Sequence, residues 1–180
     1  MTSLADKVVA IGTALDAAEL PYGFGGALAL AWCTQRARGT IDIDVNVFLD
    51  AADARRAMEA LPREVAWSDA DVARVIDDGQ VRLWWGTTPV DLFLDTTDFH
   101  RDAATRVRRE PFGGSDVAFL GCSDLAVFKA FFDRSKDWVD LEEMVALGSL
   151  DIDRVLGVLA RYLGDNDHRI TRLKALGRPA

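Results

Sequence analysis

The sequence predicts a mixed α/β (α+β) protein, with a small mixed β-sheet flanked by helices and a C-terminal helical bundle. Three observations predict it. The chain has 180 residues, 49% hydrophobic and 28% charged, which suffices for the core of one domain. Strand-like and helix-like periods alternate up to about residue 120. Beyond that point the helical period dominates, so we expect a core over 1–120 and a helical segment over 121–180 packed on it as one structural unit.

The first half of the chain alternates helices with strands. Apolar residues at helical spacing predict a helix over 3–19, which Pro21 ends. Gly25 and Gly26 open a second helix that reaches about residue 35. The segments that follow are a strand over 40–47, a helix over 51–61, a short strand over 65–67, a helix around 72–76 and a hairpin of 80–85 with 90–94.

The second half is mainly helical. The basic segment 100–114 is expected to be a solvated loop or helix, and 117–120 a short strand. Ser123 is a candidate N-cap for the next helix. Further amphipathic helices are expected over 151–163 and 169–176, the last with a basic face.

Three aspartates on two predicted strands are the candidate metal ligands. Asp42 and Asp44 stand two residues apart on the polar face of their strand, about 7 Å from each other at a rise of about 3.3 Å per residue. Carboxylates at this spacing can converge on a hard cation such as Mg²⁺. Asp91 lies on the polar face of the later strand and is the candidate third ligand, with Asp95 as the alternative and a solvent-facing Asp91 as the competing interpretation.

The glycine pair before the second helix is a candidate phosphate-binding turn. Gly25 and Gly26 carry no side chain that would keep a ligand from the backbone N–H groups at a helix start. Glycines followed by paired carboxylates therefore indicate a nucleotide and metal site.

The combined pattern resembles the polymerase-β-type nucleotidyltransferase superfamily. The resemblance rests on a Gly-Gly helix start followed by Arg-x-Thr-x-Asp-x-Asp, here Gly25, Gly26, Arg38, Thr40, Asp42 and Asp44. The small bacterial toxins of toxin–antitoxin systems, AbiEii-like and MenT-like, look closest, and the aminoglycoside nucleotidyltransferases are similar in size. One departure is the Gly-Gly pair, because many members carry Gly-Ser.

A second segment, Lys129 followed by Lys136-Asp137-x-x-Asp140, is similar to the helices after the catalytic sheet in the toxin-type members. A helix pair with internal salt bridges is the alternative interpretation of these charges. The resemblance implies the nucleotidyltransferase fold and Mg²⁺-dependent transfer of a nucleotide from an NTP. It makes Asp42, Asp44 and Asp91 the ligands of two Mg²⁺ ions and, with Lys129, the catalytic residues. The implied nucleotide-binding residues are Gly25, Gly26, Arg38, Thr40, Lys129, Lys136 and Asp140.

The sequence leaves three interpretations open, two of which differ in the molecule that would accept the nucleotide. The resemblance implies an RNA acceptor, the 3′ end of a tRNA, for a toxin that a cognate antitoxin protein neutralises. The enzymatic alternative is a small-molecule nucleotidyltransferase of the aminoglycoside type, which an acidic protein suits because that substrate is a polycation. The third interpretation is a non-catalytic binding protein or antitoxin with the same fold.

Composition argues against several other classes of protein and kinds of site. The net charge of −8 argues against a generic nucleic-acid binder, although residues 1–98 hold the whole excess, with 8 Lys+Arg against 16 Asp+Glu. No apolar run is long enough for a membrane span and the N-terminus is unlike an export signal, so a cytoplasmic protein without membrane contact is expected. Cys33 and Cys122 are therefore expected to be buried free thiols rather than a disulfide, and the two histidines suggest no zinc site.

Overall fold

The computed structural model describes residues 2–37 and 39–177. In these residues helices and strands alternate as far as Phe119, and only helices follow. The helices are α1 (Leu4–Ala17), α2 (Gly26–Thr34), α3 (Ala54–Glu59), α4 (Asp69–Asp78), α5 (Asp98–Ala103), α6 (Cys122–Phe132), α7 (Ser135–Ala146), α8 (Ile152–Leu163) and α9 (His168–Leu176). The strands are β1 (Tyr22–Phe24), β2 (Ile43–Asp50), β3 (Val65–Ala66), β4 (Gln80–Trp85), β5 (Thr88–Asp95), β6 (Arg108–Phe112) and β7 (Ser115–Phe119).

The strands form one mixed sheet in the order β3-β4-β5-β2-β1-β7-β6. Strand β2 is parallel to β5 and β1 is parallel to β7, whereas the remaining neighbours are antiparallel. The predicted mixed sheet and the predicted β4–β5 hairpin are both confirmed. The parallel β2–β5 pair matters most for function, because the predicted carboxylates lie on these two strands.

The chain divides into two compact units. Unit 1 comprises Met1–Leu28 and Arg38–Leu120, and unit 2 comprises Ala29–Ala37 and Gly121–Ala180. Helix α2 begins in the first unit and ends in the second. Unit 1 carries 11 lysines and arginines against 19 aspartates and glutamates, whereas unit 2 carries 10 of each. The whole net charge of the protein therefore belongs to unit 1.

The core of unit 1 is built from the apolar faces of its strands. Ile43, Val45 and Val47 of β2 are fully buried, as are Val90 and Leu92 of β5. Each such side chain contributes about 1.5 to 3 kcal/mol relative to an exposed one. Because side chains alternate along a strand, burying this face turns the acidic residues of the same strands to the opposite face.

Unit 2 is a set of helices around a buried tryptophan and is cross-linked by a disulfide. Trp138, Leu141 and Met144 of α7 are fully buried. Cys33 near the end of α2 is bonded to Cys122 at the start of α6, with Cα atoms 5.5 Å apart. The expectation of free thiols is wrong, because folding brings together two cysteines that are 89 residues apart in sequence.

Three local expectations are corrected by the structure. Strand β2 begins at Ile43, so Asp42 precedes the strand instead of lying within it. The residue at the N-cap of α6 is Gly121, not Ser123. The segment predicted as a basic loop or helix contains α5 and then strand β6, which pairs with β7 as a hairpin. Among the described residues, none of the helices has the length and apolar character that a membrane crossing requires.

Candidate functional site

A row of charged residues crosses three adjacent strands of unit 1. In the strand register, Asp44 of β2 is opposite Asp91 of β5, and Asp91 is opposite Arg82 of β4. Neighbouring strands are about 4.8 Å apart, so directly opposed side chains lie on the same face within contact range. The structure therefore brings together two of the three predicted metal ligands, and it adds an arginine.

Asp42 reaches the same face from the segment just before β2. The Thr40 hydroxyl donates to Asp42 Oδ1 at 2.6 Å, and the backbone N–H of Asp42 donates to the Thr40 hydroxyl at 3.4 Å. Thr40, predicted to contact nucleotide, therefore orients a predicted metal ligand. The charges of Asp42 and Asp44 both raise the pKa of Arg82, so these two carboxylates act electrostatically on the guanidinium that Asp91 binds.

Arg82 binds Asp91 with both ends of its guanidinium. Its Nε donates to Asp91 Oδ1 at 2.7 Å and its Nη2 donates to Oδ2 at 2.6 Å. The hydrogen bonds to Asp91, together with the charges of Asp91, Asp42 and Asp44, raise the pKa of Arg82 above its usual range. Sequence reasoning missed this residue. The available signal was the alternation of polar and apolar residues in 80–85, but only the hairpin register shows that Arg82 faces Asp91.

The glycine turn packs directly against Asp44. The backbone N–H of Gly25 donates to the Asp44 carbonyl at 2.9 Å. Gly26 has φ +52°, and a Cβ atom at this position would overlap the Asp44 carboxylate. Both features favour glycine at position 26, because a side chain there would be strained and would displace the Asp44 carboxylate. The first turn of α2, whose N–H groups carry partial positive charge, therefore starts at a predicted metal ligand.

A buried polar chain lies beneath this turn and was not predicted as functional. Asn46 donates from Nδ2 to the Gly23 carbonyl at 3.3 Å, and its Oδ1 is 3.1 Å from His100 Nε2. The other ring nitrogen, Nδ1, is 4.0 Å from Asp95. Burial raises the pKa of Asp95 to about 6 and lowers the pKa of His100 to about 4. Near pH 5, therefore, both groups are mainly uncharged in the folded protein. Asp95, the alternative to Asp91 in the sequence, faces His100 instead.

The predicted nucleotide-binding residues of the second segment form a separate cluster within unit 2. Lys129 Nζ donates to Asp140 Oδ2 at 2.6 Å and lies 3.7 Å from Asp137 Oδ1. Arg134 in turn donates to Asp137. Lys129, Asp137 and Asp140 are all buried, whereas Lys136 is exposed. The cluster has the salt bridges that the alternative interpretation described, and the binding roles of these residues stay predictions.

The donor set of unit 1 fits a hard divalent cation. Asp42, Asp44 and Asp91 offer carboxylate oxygens, the ligand type that Mg²⁺ prefers. In residues 2–37 and 39–177, no group of three or more His, Cys, Asp or Glu side chains is arranged as a metal site. Asp91 is instead bound by Arg82. Arg38, predicted to bind nucleotide, lies outside the described residues.

Comparison with known proteins identifies the fold. No family model matches the chain, and the search of curated proteins found no match to its sequence. The antibiotic-resistance factor ANT(2'')-Ia, known from its solution structure, has a TM-score of 0.53 and 14% identity over 96% of this chain and 88% of its own. A candidate nucleotidyltransferase from Helicobacter pylori has a TM-score of 0.48 and 16% identity over 96% and 90%. JHP933 from Helicobacter pylori has 0.45 and 17% over 94% and 85%. The first likeness shows that the chain shares the fold of ANT(2'')-Ia, which confirms the predicted nucleotidyltransferase fold.

Proposed function

We propose that this protein is a Mg²⁺-dependent nucleotidyltransferase that moves a nucleoside monophosphate from an NTP to a hydroxyl acceptor. The observation that carries the proposal is the register of β2 and β5, which sets Asp44 beside Asp91 next to the turn at Gly25 and Gly26. Phosphoryl-type transfer needs positioned negative ligands for a metal and donors for phosphate rather than a covalent nucleophile. Unit 1 offers both on one face.

In the proposed reaction the acceptor oxygen attacks the α-phosphorus and the bond to the β-phosphate breaks. Pyrophosphate leaves, and the acceptor proton passes to a carboxylate, for which Asp91 is the candidate. Asp42, Asp44 and Asp91 would hold Mg²⁺, which would neutralise charge on the triphosphate and on the leaving group. The backbone N–H groups that follow Gly25 would bind phosphate oxygens at the start of α2.

The remaining residues keep the roles that the sequence resemblance implies. Lys129, Lys136 and Asp140 are proposed to bind nucleotide, as is Arg38, and two Mg²⁺ ions are proposed for the loaded enzyme. The NTP requirement suits the cytoplasm, where we place the reaction.

The first candidate acceptor is RNA, the 3′ end of a tRNA, with the protein acting as the toxin of a toxin–antitoxin pair. Two segments support this candidate, residues 25–44 and residues 129–140. Both resemble the corresponding segments of the AbiEii-like and MenT-like proteins. The antitoxin would be a protein partner.

The second candidate acceptor is a polycationic small molecule of the aminoglycoside type. It is favoured by the charge of unit 1, which holds 19 acidic and 11 basic residues. A surface of this sign attracts cations and repels RNA phosphates. The fold shared with an antibiotic-resistance factor also supports this candidate.

One transfer assay separates these candidates. Purified protein is incubated with Mg²⁺ and each α-labelled NTP, together with either total RNA or a panel of aminoglycosides. Asp44→Asn removes a proposed ligand, and Asp69→Asn, on an aspartate that is 86% exposed, is the matched control. Label in a tRNA-sized band supports the toxin assignment, and label on an aminoglycoside supports the second candidate.

Two outcomes would contradict the proposal. Transfer that survives in Asp44→Asn would reject the assigned site. Absence of both transfer and Mg²⁺-dependent NTP binding in the unmodified protein would favour the non-catalytic binding role.

A further inference from the structure

Arg82 and a divalent cation compete for the carboxylate oxygens of Asp91. The guanidinium uses both carboxylate oxygens of Asp91, at 2.7 and 2.6 Å. A cation shared between Asp44 and Asp91 needs at least one of these oxygens turned toward β2, whereas Arg82 approaches from β4 on the other side. Both positive groups are attracted by the same three carboxylates and repel each other, so the presence of one weakens the binding of the other.

The positions of these residues make an exchange possible. The Arg82 side chain is 53% exposed and the Asp91 side chain is 17% exposed. An exposed arginine regains solvent when it leaves, and the arriving cation takes its place beside Asp91, so this exchange costs less than breaking a fully buried pair. Asp91 is less exposed and belongs to strand β5, so it stays with Asp42 and Asp44 when Arg82 leaves. These three aspartates form the carboxylate row.

We propose that Arg82 neutralises the carboxylate row in the cation-free protein and that a divalent cation must displace it from Asp91 to complete the site. Arg82 is then a positioning residue that sets how tightly the site binds its metal. This inference rests on the proposed function, because it requires that Asp42, Asp44 and Asp91 are metal ligands. The pair acts as a stand-in for the cation and keeps three close carboxylates from repelling one another when no metal is bound.

Mn²⁺ binding to the full-length protein tests the exchange without relying on activity. Mn²⁺ is a paramagnetic substitute for Mg²⁺, and its free concentration is read directly by electron paramagnetic resonance. Arg82→Met removes the competing guanidinium and should tighten Mn²⁺ binding about fivefold, the upper end of what an exposed ion pair contributes. Arg82→Lys keeps the charge but not the two parallel hydrogen bonds, so it should tighten binding by a smaller factor.

Two further variants separate direct competition from a general change of charge. Arg55→Met removes the same charge from a side chain that is also 53% exposed and that pairs with Asp69 elsewhere in unit 1. It should leave Mn²⁺ affinity within about twofold, because its partner Asp69 is not one of the proposed ligands and exposed charges are screened by salt. In an Asp91→Asn background, Arg82→Met should lose most of its effect, because the carboxylate for which both cations compete is gone.

The stability of the metal-free protein supplies an independent readout. Arg82→Met should lower the melting temperature without metal, and Mn²⁺ should restore it, whereas Arg55→Met should show no such rescue. If Arg82→Met does not fold, Arg82→Lys still tests the competition through its Mn²⁺ affinity.

The outcomes distinguish this inference from the proposed function. Unchanged Mn²⁺ affinity in Arg82→Met and in Arg82→Lys, or an equal effect of Arg82→Met with and without Asp91, would overturn the exchange while leaving nucleotidyl transfer intact. Absence of Mn²⁺ binding in the unmodified protein and in every variant would overturn both. Tightening that depends on Asp91 supports the exchange.

Discussion

The carboxylate row of unit 1 and the lysine cluster of unit 2 are two groups of charged side chains that differ in charge balance and in burial. In unit 1, Asp42, Asp44 and Asp91 share a partly exposed face with Arg82. In unit 2, the side chains of Lys129, Asp137 and Asp140 are 8%, 1% and 9% exposed, and Arg134 adds a second positive charge. The first arrangement has an excess of negative charge that a cation would relieve. The second is neutral within itself and largely buried, so removing one of its charges should leave another charge buried without its partner.

The largest expected effect is on transfer activity in unit 1. Asp44→Asn or Asp42→Asn should reduce nucleotide transfer by at least about 100-fold, because each removes a ligand on which the charge compensation of the transition state depends. The stability of the metal-free protein should stay within about 0.5 kcal/mol or rise slightly, since crowding of like charges is relieved.

Transfer rates and urea denaturation of the two Asn variants check this expectation, with Asp69→Asn as the control. Loss of several kcal/mol of folding stability without metal would show that the carboxylate row stabilises the fold. The proposed difference between the two units would then be wrong.

The next effect is on the stability of unit 2. Lys129→Met leaves Asp140 and Asp137 buried without their lysine and should lower the free energy of unfolding by about 3 to 5 kcal/mol. Lys136→Met on the same segment is exposed and should change stability by less than about 0.5 kcal/mol. Urea denaturation of both variants measures the difference.

The same variants also test the predicted nucleotide role of these lysines. Lys129→Arg keeps the positive charge and is the variant in which the KM for NTP is compared with that of the unmodified protein. If Lys129→Met proves as stable as the unmodified protein, the cluster is not structural, and a binding function would become the better explanation for its charges.

A somewhat smaller effect is expected from the cross-link in unit 2. Replacing Cys33 and Cys122 with serine should lower the free energy of unfolding by about 2 to 4 kcal/mol, because the disulfide restricts the unfolded chain. Denaturation with and without dithiothreitol measures it, and the reduced protein should match the double variant. An unmodified protein that is insensitive to the reductant would mean that the cysteines are thiols in solution.

The smallest effect is on the pH dependence of stability, and it comes from the buried pair of Asp95 and His100 in unit 1. Like the cluster of unit 2, this pair is neutral within itself. The pKa of Asp95 is raised to about 6 and that of His100 is lowered to about 4. Between pH 4 and 6 these two residues together hold one titrating proton in either state. It is on Asp95 in the folded protein and on His100 in the unfolded chain. The two contributions to the pH dependence of stability therefore cancel in this window.

Single substitutions should uncover each contribution. In Asp95→Asn, stability should increase by about 1 to 3 kcal/mol from pH 4 to pH 6.5, because only the unfolded state protonates His100 there. In His100→Gln, stability should instead decrease as pH rises from 4 through 6, since folded Asp95 must then lose its proton in a buried site. Parallel pH profiles in both variants and the unmodified protein would contradict the neutral pair.

Much of the fold and part of the site follow from local sequence patterns. Alternation in 40–47 predicted a strand, and it also predicted that Asp42 and Asp44 share a polar face, because side chains alternate along any strand. The glycine pair predicted the start of α2 at Gly26. Helix ends were harder, since the cap of α6 is Gly121 and the hydroxyl of Ser123 instead accepts from the Asp151 N–H.

Other features depend on contacts between residues far apart in the chain. Asp91 was a candidate in the sequence, yet only the parallel pairing of β2 with β5 sets it opposite Asp44, 47 positions earlier in the chain. The Cys33–Cys122 bond joins residues 89 apart and was predicted wrongly. The chain of Asn46, His100 and Asp95 gave no sequence signal, because none of the spacings among the three is periodic.

The sequence by itself determined which faces of the strands are apolar, where α2 begins, and that two carboxylates stand together after a glycine turn of the kind that binds phosphate. These features depend on periods of two or three to four residues, which any segment carries whatever its surroundings. The tertiary structure alone decided that Arg82 binds Asp91 and that Lys129 is buried between two aspartates. Strand register and helix packing set those contacts, and both arise only when the whole chain buries its apolar surface.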